Sequence, residues 1–483
     1  MTDWLWTAGE AAAATEGRAE GEWQGVDGLS IDTRELVSGD LFIALQGENR
    51  DGHAFVAQAL AAGAGAAMVT HRPDEVADDA PLLVVDDTLK ALERLGIAAR
   101  SRTQAKVIAV TGSVGKTSTK EMLRTMLEGQ GLTHAATRSF NNHWGVPLTL
   151  ARMPEQTDFA VLEIGMNHPG EIVPLSRMAR PDVAMITTVA AVHMAAFDSV
   201  EQIADAKAEI FAGLGPEGIA VLNADNEHFA RLAAAAGEHP IRSFGAAKGA
   251  NLKLIEAVQS ADAMVVRAEI DASPVTFKIG APGEHFVLNA LGALGCVEAV
   301  GADLARAALA LAQWSPPSGR GSRAEIALGP GGMDGAITLL DESYNANPTS
   351  MRAALAVLAA ADVTHDVGRV AKGRRLAFLG DMLELGPEET ALHAGLAALP
   401  EVENIDRIHC CGPRMKVLHD ALPPEKRGLY CADSQELAQM LPRVVDAGDV
   451  CMVKGSLGAR MARVVEAIKR LGTEKPGPAD EDE

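Results

Sequence analysis

Val107-Ile108-Ala109-Val110-Thr111-Gly112-Ser113-Val114-Gly115-Lys116-Thr117-Ser118-Thr119 is an apolar, β-branched run that meets a glycine turn and then a stretch opening on Lys-Thr-Ser. A strand feeding a helix in this way aims the free backbone N–H groups of the turn, and the positive end of the helix, at an anion. Gly112, Ser113, Gly115, Lys116, Thr117 and Ser118 are therefore candidate phosphate-binding residues. Lys116 adds a mobile cation, and the Thr117 hydroxyl can join the shell of a Mg²⁺ ion. The expected ligand is ATP or GTP. The general phosphate-loop pattern also wants a glycine at position 110, where this chain has Val110, so the spacing marks a subclass.

Around this motif the chain has room for several cores. Its 483 residues, at roughly 100 to 200 per domain, give an expectation of three domains. Hydrophobic residues make up 47% and charged residues 22%, which excludes a disordered chain; with 4% aromatic residues, Ala, Val, Leu and Ile must build the cores. A net charge of −22 provides no general attraction for nucleic acid or anionic lipid, so any polyanion must be held by local sites such as the phosphate loop. The cysteines Cys296, Cys410, Cys411, Cys431 and Cys451 are odd in number, lack Cys-x-x-Cys spacing and mostly fall in apolar runs, as reduced core residues do. Met1-Thr2-Asp3-Trp4 has no basic n-region, and the most apolar long stretch, residues 55–70, is Ala/Gly-rich with Gln58 inside it. Neither export nor membrane spanning is supported, and a cytoplasmic location is expected.

Working outward, residues 29–69 show short β runs around Gly-Asp turns (Leu41-Phe42-Ile43-Ala44-Leu45), an Ala-rich helix over 54–61 and a strand over 65–69. A helix over 89–100 leads into the polar stretch 100–104, a linker ahead of the phosphate-loop strand. Strands over 159–164, 183–187 and 218–223 alternate with helical stretches, the rhythm of a parallel, doubly wound sheet that binds ligands at the carboxyl ends of its strands. Pro316-Pro317-Ser318-Gly319-Arg320-Gly321 breaks the preceding helix, and a third α/β rhythm follows with strands over 336–340, 375–379, 407–411 and 450–454. From Gly472 onward the chain is rich in Glu, Asp, Lys and Pro and reads as disordered.

Several side chains stand out. Glu163 ends a strand in the phosphate-loop unit, where a carboxylate reaches nucleotide-bound Mg²⁺ or is simply exposed. His193 follows the 183–187 strand and is either structural or a metal ligand. Lys207 shares one helical face with Ile203 and Ile210. It either snorkels or is partly buried with a lowered pKa, so that the neutral amine can take up CO₂ and present a carbamate to a cation. Arg320, between two glycines, is a linker residue or reaches across a cleft to a γ-phosphate. Asp341-Glu342-Ser343-Tyr344-Asn345-Ala346-Asn347-Pro348 is too dense in polar and aromatic side chains for a mere turn. Lys454-Gly455-Ser456 is an ordinary turn or offers a cation and N–H donors to a carboxylate.

Assembled, these segments resemble the Mur ligase family over residues 28–465. The resemblance rests on Ser30-Ile31-Asp32-Thr33-Arg34, Gly47-Glu48-Asn49-Arg50-Asp51-Gly52-His53, the phosphate loop, Ser139-Phe140-Asn141-Asn142-His143-Trp144-Gly145-Val146-Pro147-Leu148-Thr149-Leu150, and residues 163–171, 341–350, 379–386 and 453–456. The Asp-Asn-Pro-Arg element of the diaminopimelate-adding branch is missing. The resemblance implies an α/β protein with three domains: an N-terminal UDP-substrate-binding domain (1–103), a central ATP-binding domain with a P-loop ATPase-like parallel sheet (104–315) and a C-terminal Rossmann-like ligase domain (316–471), followed by a disordered acidic tail (472–483). It also implies an ATP-dependent amide ligase. The carboxylate of UDP-MurNAc-tripeptide attacks the γ-phosphate to give an acyl phosphate, and the amine of D-Ala-D-Ala displaces phosphate.

Carried onto this sequence, the family pattern implies Thr117 and Glu163 as Mg²⁺ ligands, and His193 with a carbamylated Lys207 at a second Mg²⁺. Lys116 and Arg320 would stabilise the transferring phosphoryl group. Asn289 would contact adenine, with Asp341 and Asn345 lining the nucleotide cleft. Asp32, Thr33 and Arg34 would bind the uridine nucleotide, Asn141 and Asn142 the sugar–peptide side, and Lys454 and Ser456 the acceptor. The implied partners are these small molecules, with no nucleic acid or membrane insertion, and a monomer. The sequence departs from the pattern at Phe286 (usually Asn), Thr188 (commonly Asn) and Leu457 (often Arg), the last leaving Arg460 as a substitute contact for the acceptor carboxylate. The alternatives are a ligase of the folylpolyglutamate synthase type, which lacks the N-terminal unit with Asp32-Thr33-Arg34, and a non-ligase nucleotide-dependent binding protein.

Overall fold

Alternate residues of the strand Lys106–Thr111 face opposite sides of its sheet, and both sides are apolar. Val107 and Ala109 pack with Ile172, Leu175, Ile203 and Ile210, whereas Ile108 and Val110 pack with Met122, Leu123, Met126, Leu127 and Leu291. A strand buried on both faces requires helices above and below it, which parallel crossover connections supply. The computed structural model describes residues 4–47, 50–192, 194–260 and 262–475. It has the expected α/β architecture, with three larger sheets in series.

The central sheet has nine strands. Lys106–Thr111 lies between Phe159–Glu163 and Val183–Ile186, with Thr133–Ala135 outside the former and Ile219–Asn223, Ile241–Gly245, Leu252–Gln259, Met264–Ile270 and Ser273–Ile279 beyond the latter. The chain thus winds first to one side of the phosphate-loop strand and then to the other, which opens a crevice at the carboxyl ends. Register places Glu163 opposite Val110 and Ile186 opposite Thr111, so both neighbouring strands end level with the glycine turn. The sequence reading omitted Thr133–Ala135, Ile241–Gly245 and the antiparallel meander from Leu252 to Ile279. The meander strands carry Lys253, Glu256, Arg267 and Lys278, whose charges interrupt the apolar pattern.

The C-terminal sheet has seven strands in the order Arg427–Cys431, Arg407–Cys411, Arg375–Gly380, Val450–Lys454, Ala336–Glu342, Ser322–Ala327 and Thr473–Glu474. Its central strands are again buried on both faces: Ala377 and Leu379 pack with Met351 and Leu355, and Leu376 and Phe378 with Leu437 and Val464. The segment after Gly472 departs from the disorder expected of it. Thr473–Glu474 pairs with Ser322–Ala327 (Ala327 opposite Thr473), and the Lys475 N–H donates to the Glu325 carbonyl. Residues 476–483 lie outside the described residues.

The N-terminal sheet runs Arg18–Glu20, Leu82–Val84, Ala66–Val69, Asp40–Ile43, Gly28–Ser30. Its helix Thr88–Arg102 extends through part of the expected linker. It packs on the central unit's buried helix Gly145–Ala151, and at Gly96 a Cβ would stand 3.0 Å from the Pro147 carbonyl oxygen. Trp6 Nε1 donates to the Ala151 carbonyl at 2.9 Å and Arg152 Nε to the Leu29 carbonyl at 2.7 Å. Among the described residues no helix is long and apolar enough to cross a membrane.

Candidate active site

The glycine turn closes against the helix Glu284–Ala299. Gly115 has φ +86°, and a Cβ there would stand 2.7 Å from Asn289 Oδ1, so only glycine lets the turn lie flat on the Asn289 amide. Lys116 begins the helix Lys116–Glu128 and folds back to donate from Nζ to the Gly112 carbonyl at 2.7 Å. Thr117 Oγ1 points the other way and donates to Glu163 Oε2 at 2.8 Å. The second oxygen of Glu163 accepts from Ser139 Oγ and Asn141 Nδ2, both at 2.7 Å. Glu163 is thus a buried carboxylate held at both ends, at the tip of its strand.

The electrostatics of this cluster are dominated by burial. Burial pushes the Glu163 carboxyl up, but the charges of Arg320 and Lys116 and the hydrogen bonds from Ser139 and Asn141 outweigh it, so Glu163 stays ionised below its usual range. Burial lowers the Lys116 amine; Glu163 opposes this and Arg320 adds to it. Lys207, in the helix Val200–Ala208, is only 2% exposed. Burial, and then the charge of Lys116, push its amine well below the ordinary lysine range. Among the described residues no hydrogen bond or ion pair engages that amine. Of the two readings left open by sequence, snorkelling is excluded by this burial.

The opposite wall comes from the C-terminal unit. Arg320 lies with its guanidinium carbon 4.1 Å from the centre of the Tyr344 ring. Asp341, expected to line the cleft, is instead turned away from the cavity. Its Oδ2 accepts from the Gly319 N–H (3.0 Å) and Ser318 Oγ (3.3 Å), and its Oδ1 from the Ser343 N–H (3.0 Å) and Oγ (2.6 Å), so it fixes the turn that carries Arg320. Lys454 Nζ donates to Glu342 Oε2 and to the Asn345 carbonyl, both at 3.0 Å. Ser456 is likewise occupied: its Oγ accepts from the Leu383 N–H at 2.9 Å and donates to the Ala346 carbonyl at 3.3 Å, which makes it a tie between loops rather than a free donor.

Between the two walls lies a cavity of ≈ 430 Å³, within the range of small-molecule sites. It brings together Ser113, Gly115, Lys116, Ser118, Asn141, Glu163, Asn289, Arg320, Asn345 and Lys454 from the sequence reading. Thr117 and Gly112 stand directly behind it. Asn142 does not reach it; its Oδ1 accepts from the Gly145 N–H at 2.9 Å and starts the helix Gly145–Ala151. Asp32, Thr33 and Arg34 do not line the cavity and follow the strand Gly28–Ser30 of the N-terminal unit. There Arg34 Nε contacts both oxygens of Asp32 (2.9 and 3.1 Å), and the Arg34 side chain and backbone hydrogen bonds hold the Asp32 carboxyl down to about 2. An ion pair between Arg138 and Glu35 ties that loop to the one bearing Ser139 and Asn141. His193 lies outside the described residues, as do Glu48 and Asn49.

Among the wall residues not singled out from sequence are Ser139, His285, Glu342 and Tyr344. Three sat inside quoted motifs but were not assigned a role. His285 is half-buried, its ring proton disfavoured by desolvation, and its ring centre lies 3.9 Å from that of Phe286. Phe286 in turn meets Trp314 edge-on at 5.1 Å, so the departure at 286 is absorbed by an aromatic contact. Thr188 accepts from Asn226 Nδ2 at 3.0 Å.

Family comparisons agree along the chain. The Mur ligase family catalytic domain matches residues 25–124, the Mur ligase middle domain residues 110–297, and the Mur ligase glutamate ligase domain residues 330–457. A UDP-N-acetylmuramoyl-tripeptide--D-alanyl-D-alanine ligase of Escherichia coli K12 is 35% identical over 460 residues, covering 94% of this chain and 97% of that protein. A crystal structure of MurF from Acinetobacter baumannii aligns with a TM-score of 0.80 at 30% identity, covering 96% of this chain and 99% of that one. The fold is also that of MurF ligase from Thermotoga maritima in complex with ADP, with a TM-score of 0.73 at 24% identity over 92% of this chain and 97% of that one. From its phosphate loop to its last sheet, the chain belongs to the Mur ligase family.

Proposed function

We propose that this chain joins D-Ala-D-Ala to UDP-MurNAc-tripeptide in an ATP-dependent reaction through an acyl phosphate. The observation that carries the reading is the cavity in which Lys116 and Glu163 of one unit meet Arg320 of the next. A carboxylate approaching a triphosphate is opposed by like charge, and the two cations offset this. A peptide carboxylate oxygen attacks the γ-phosphorus and ADP leaves. The amine of D-Ala-D-Ala then attacks the acyl carbon, phosphate departs with the shared oxygen, and the amine's proton passes to solvent. The similarity over 97% of the E. coli relative includes the N-terminal unit and favours this branch over the folylpolyglutamate synthase type and over a non-ligase binding protein.

The residues fit a nucleotide with its metal. The turn at Gly112–Gly115 receives phosphates, Asn289 faces the base, and the ionised Glu163 beside the Thr117 hydroxyl would hold Mg²⁺, which supplies charge neutralisation at the phosphates. Lys207 with His193 would hold a second Mg²⁺. A buried neutral amine adds to CO₂ as a carbamate with loss of one proton, which would place a second anion near Lys116 in addition to Glu163. Lys207→Ala is expected to lose activity and to regain part of it with added formate. No rescue, together with a bare amine in crystallographic density, would rule the carbamate out.

Domain closure onto the nucleotide would bring Arg320 over the phosphates, and Asp32, Thr33 and Arg34 would anchor the uridine nucleotide on the domain ending near residue 103. Lys454 and Arg460 are the cations proposed for the acceptor's carboxylate. Since one chain supplies the whole site, a monomer is the proposed functional unit, working where ATP is made available, in the cytoplasm. The test is phosphate release from ATP. Release that requires both UDP-MurNAc-tripeptide and D-Ala-D-Ala supports the reading, and release indifferent to D-Ala-D-Ala refutes it.

A further inference from the structure

Lys120 lies one helical turn beyond Lys116, is fully buried and does not line the cavity. Its ammonium donates to the carbonyl oxygens of Ala136 and, at 3.4 Å, Arg138, and pairs with Glu121 Oε1 at 2.6 Å. An apolar side chain of similar length would fill the same space without desolvating a charge. What the charge adds is a grip on the loop 136–141. Ser139 and Asn141 of that loop are the two donors to Glu163 Oε1, while Thr117, from Lys120's own helix, donates to Oε2. The helix that opens with the phosphate-binding lysine therefore holds Glu163 directly through Thr117, and a second time through Lys120 and the loop.

We propose that Lys120 is a positioning residue: by clamping the loop 136–141 it sets the orientation of the Glu163 carboxylate toward the Mg²⁺ that accompanies the nucleotide. This rests on the reading of Glu163 as a Mg²⁺ ligand. Groups bonded directly to a metal ligand, as Ser139 and Asn141 are to Glu163, typically change metal affinity about 10- to 100-fold when lost, and Lys120 acts one step further out, through their loop.

The test measures ADP binding by calorimetry across a Mg²⁺ series, with thermal melting alongside, for Lys120→Met, Lys120→Arg and Glu163→Gln. Lys120→Met is expected to bind metal-free ADP as the parent does, while the Mg²⁺ concentration that tightens binding half-maximally rises about 10-fold, the lower end of that range. Lys120→Arg, which keeps a donor, is expected to restore most of the response. A folded Lys120→Met with the parental Mg²⁺ response, when Glu163→Gln has lost it, overturns the role of Lys120 and leaves Glu163 standing. Glu163→Gln with the parental response overturns the reading of Glu163 itself. Should Lys120→Met not fold, Lys120→Gln carries the same comparison, because it keeps a shorter donor and is expected to shift the Mg²⁺ midpoint partway. No shift there overturns the proposal.

Discussion

Replacing Gly115 with alanine asks whether the glycine turn is shaped for phosphate or merely tolerated. At φ +86° an L-residue is strained by about 1–2 kcal/mol. The new Cβ would also stand 2.7 and 2.8 Å from Oδ1 and Nδ2 of Asn289, closer than real contacts allow, so the Asn289 side chain must rotate away at about 1 kcal/mol for a displaced polar contact. The total is about 2–3 kcal/mol. If the turn keeps its shape, this appears as lost stability, a fall of about 4–12 °C in the melting of the central unit. If the turn relaxes in the free protein, nucleotide must restore it, and ATP binding weakens by about 30- to 150-fold. Calorimetric ATP titration and thermal melting of Gly115→Ala, taken together, cover both routes. A variant that melts within 1–2 °C of the parent and binds ATP within about twofold would refute the reasoning, because the strain would then have no outlet.

Tyr344→Ala removes the ring under the Arg320 guanidinium, a contact worth about 0.5–2 kcal/mol, and is expected to lower kcat about 2- to 30-fold in steady-state assays; an unchanged kcat would mean that the Asp341-held turn alone positions Arg320. Asp341→Asn leaves an amide facing at least one donor of Gly319 or Ser343, with an expected cost of about 1–3 kcal/mol in stability and a lower kcat, measured by denaturant titration and turnover. The depressed carboxyl of Asp32 makes its fork with Arg34 a contribution that is present above the ordinary carboxyl range and is lost as pH falls through about 2. Carbon-13 titration of Asp32 should find its midpoint near that value, and a midpoint near 4 would mean that the fork does not persist in solution.

What could be read from the chain was whatever local pattern controls. The phosphate loop, the strand end at Glu163 and the doubly wound sheets follow from apolar runs bounded by glycine and helix starts, and the structure has them where the runs lie. What could not be read was the direction of side chains set by distant segments. Asp341 was implied as a cleft residue by the family pattern and a dense polar segment, yet its carboxylate is claimed by Gly319, more than twenty residues earlier. Ser456 sits in a promising turn but is taken by Leu383 and Ala346. Lys120 carried a usable signal: it falls on one helical face with Leu123 and Leu127, both buried, the same pattern that singled out Lys207. The partner that explains it, the loop at 136–138, is visible only in three dimensions. The meander from Leu252 to Ile279 escaped because its strands are half-exposed and charged, and antiparallel pairing at a sheet end needs only one apolar face.

The most direct test of the account follows the oxygen atoms. UDP-MurNAc-tripeptide labelled with ¹⁸O in both oxygens of its terminal carboxylate would be turned over with ATP and D-Ala-D-Ala, and the released phosphate and the nucleotide product weighed by mass spectrometry. The account predicts phosphate carrying one ¹⁸O, formed only when D-Ala-D-Ala is present, and a pentapeptide product whose new amide keeps the other. Phosphate free of label, or released without a new amide, would contradict it.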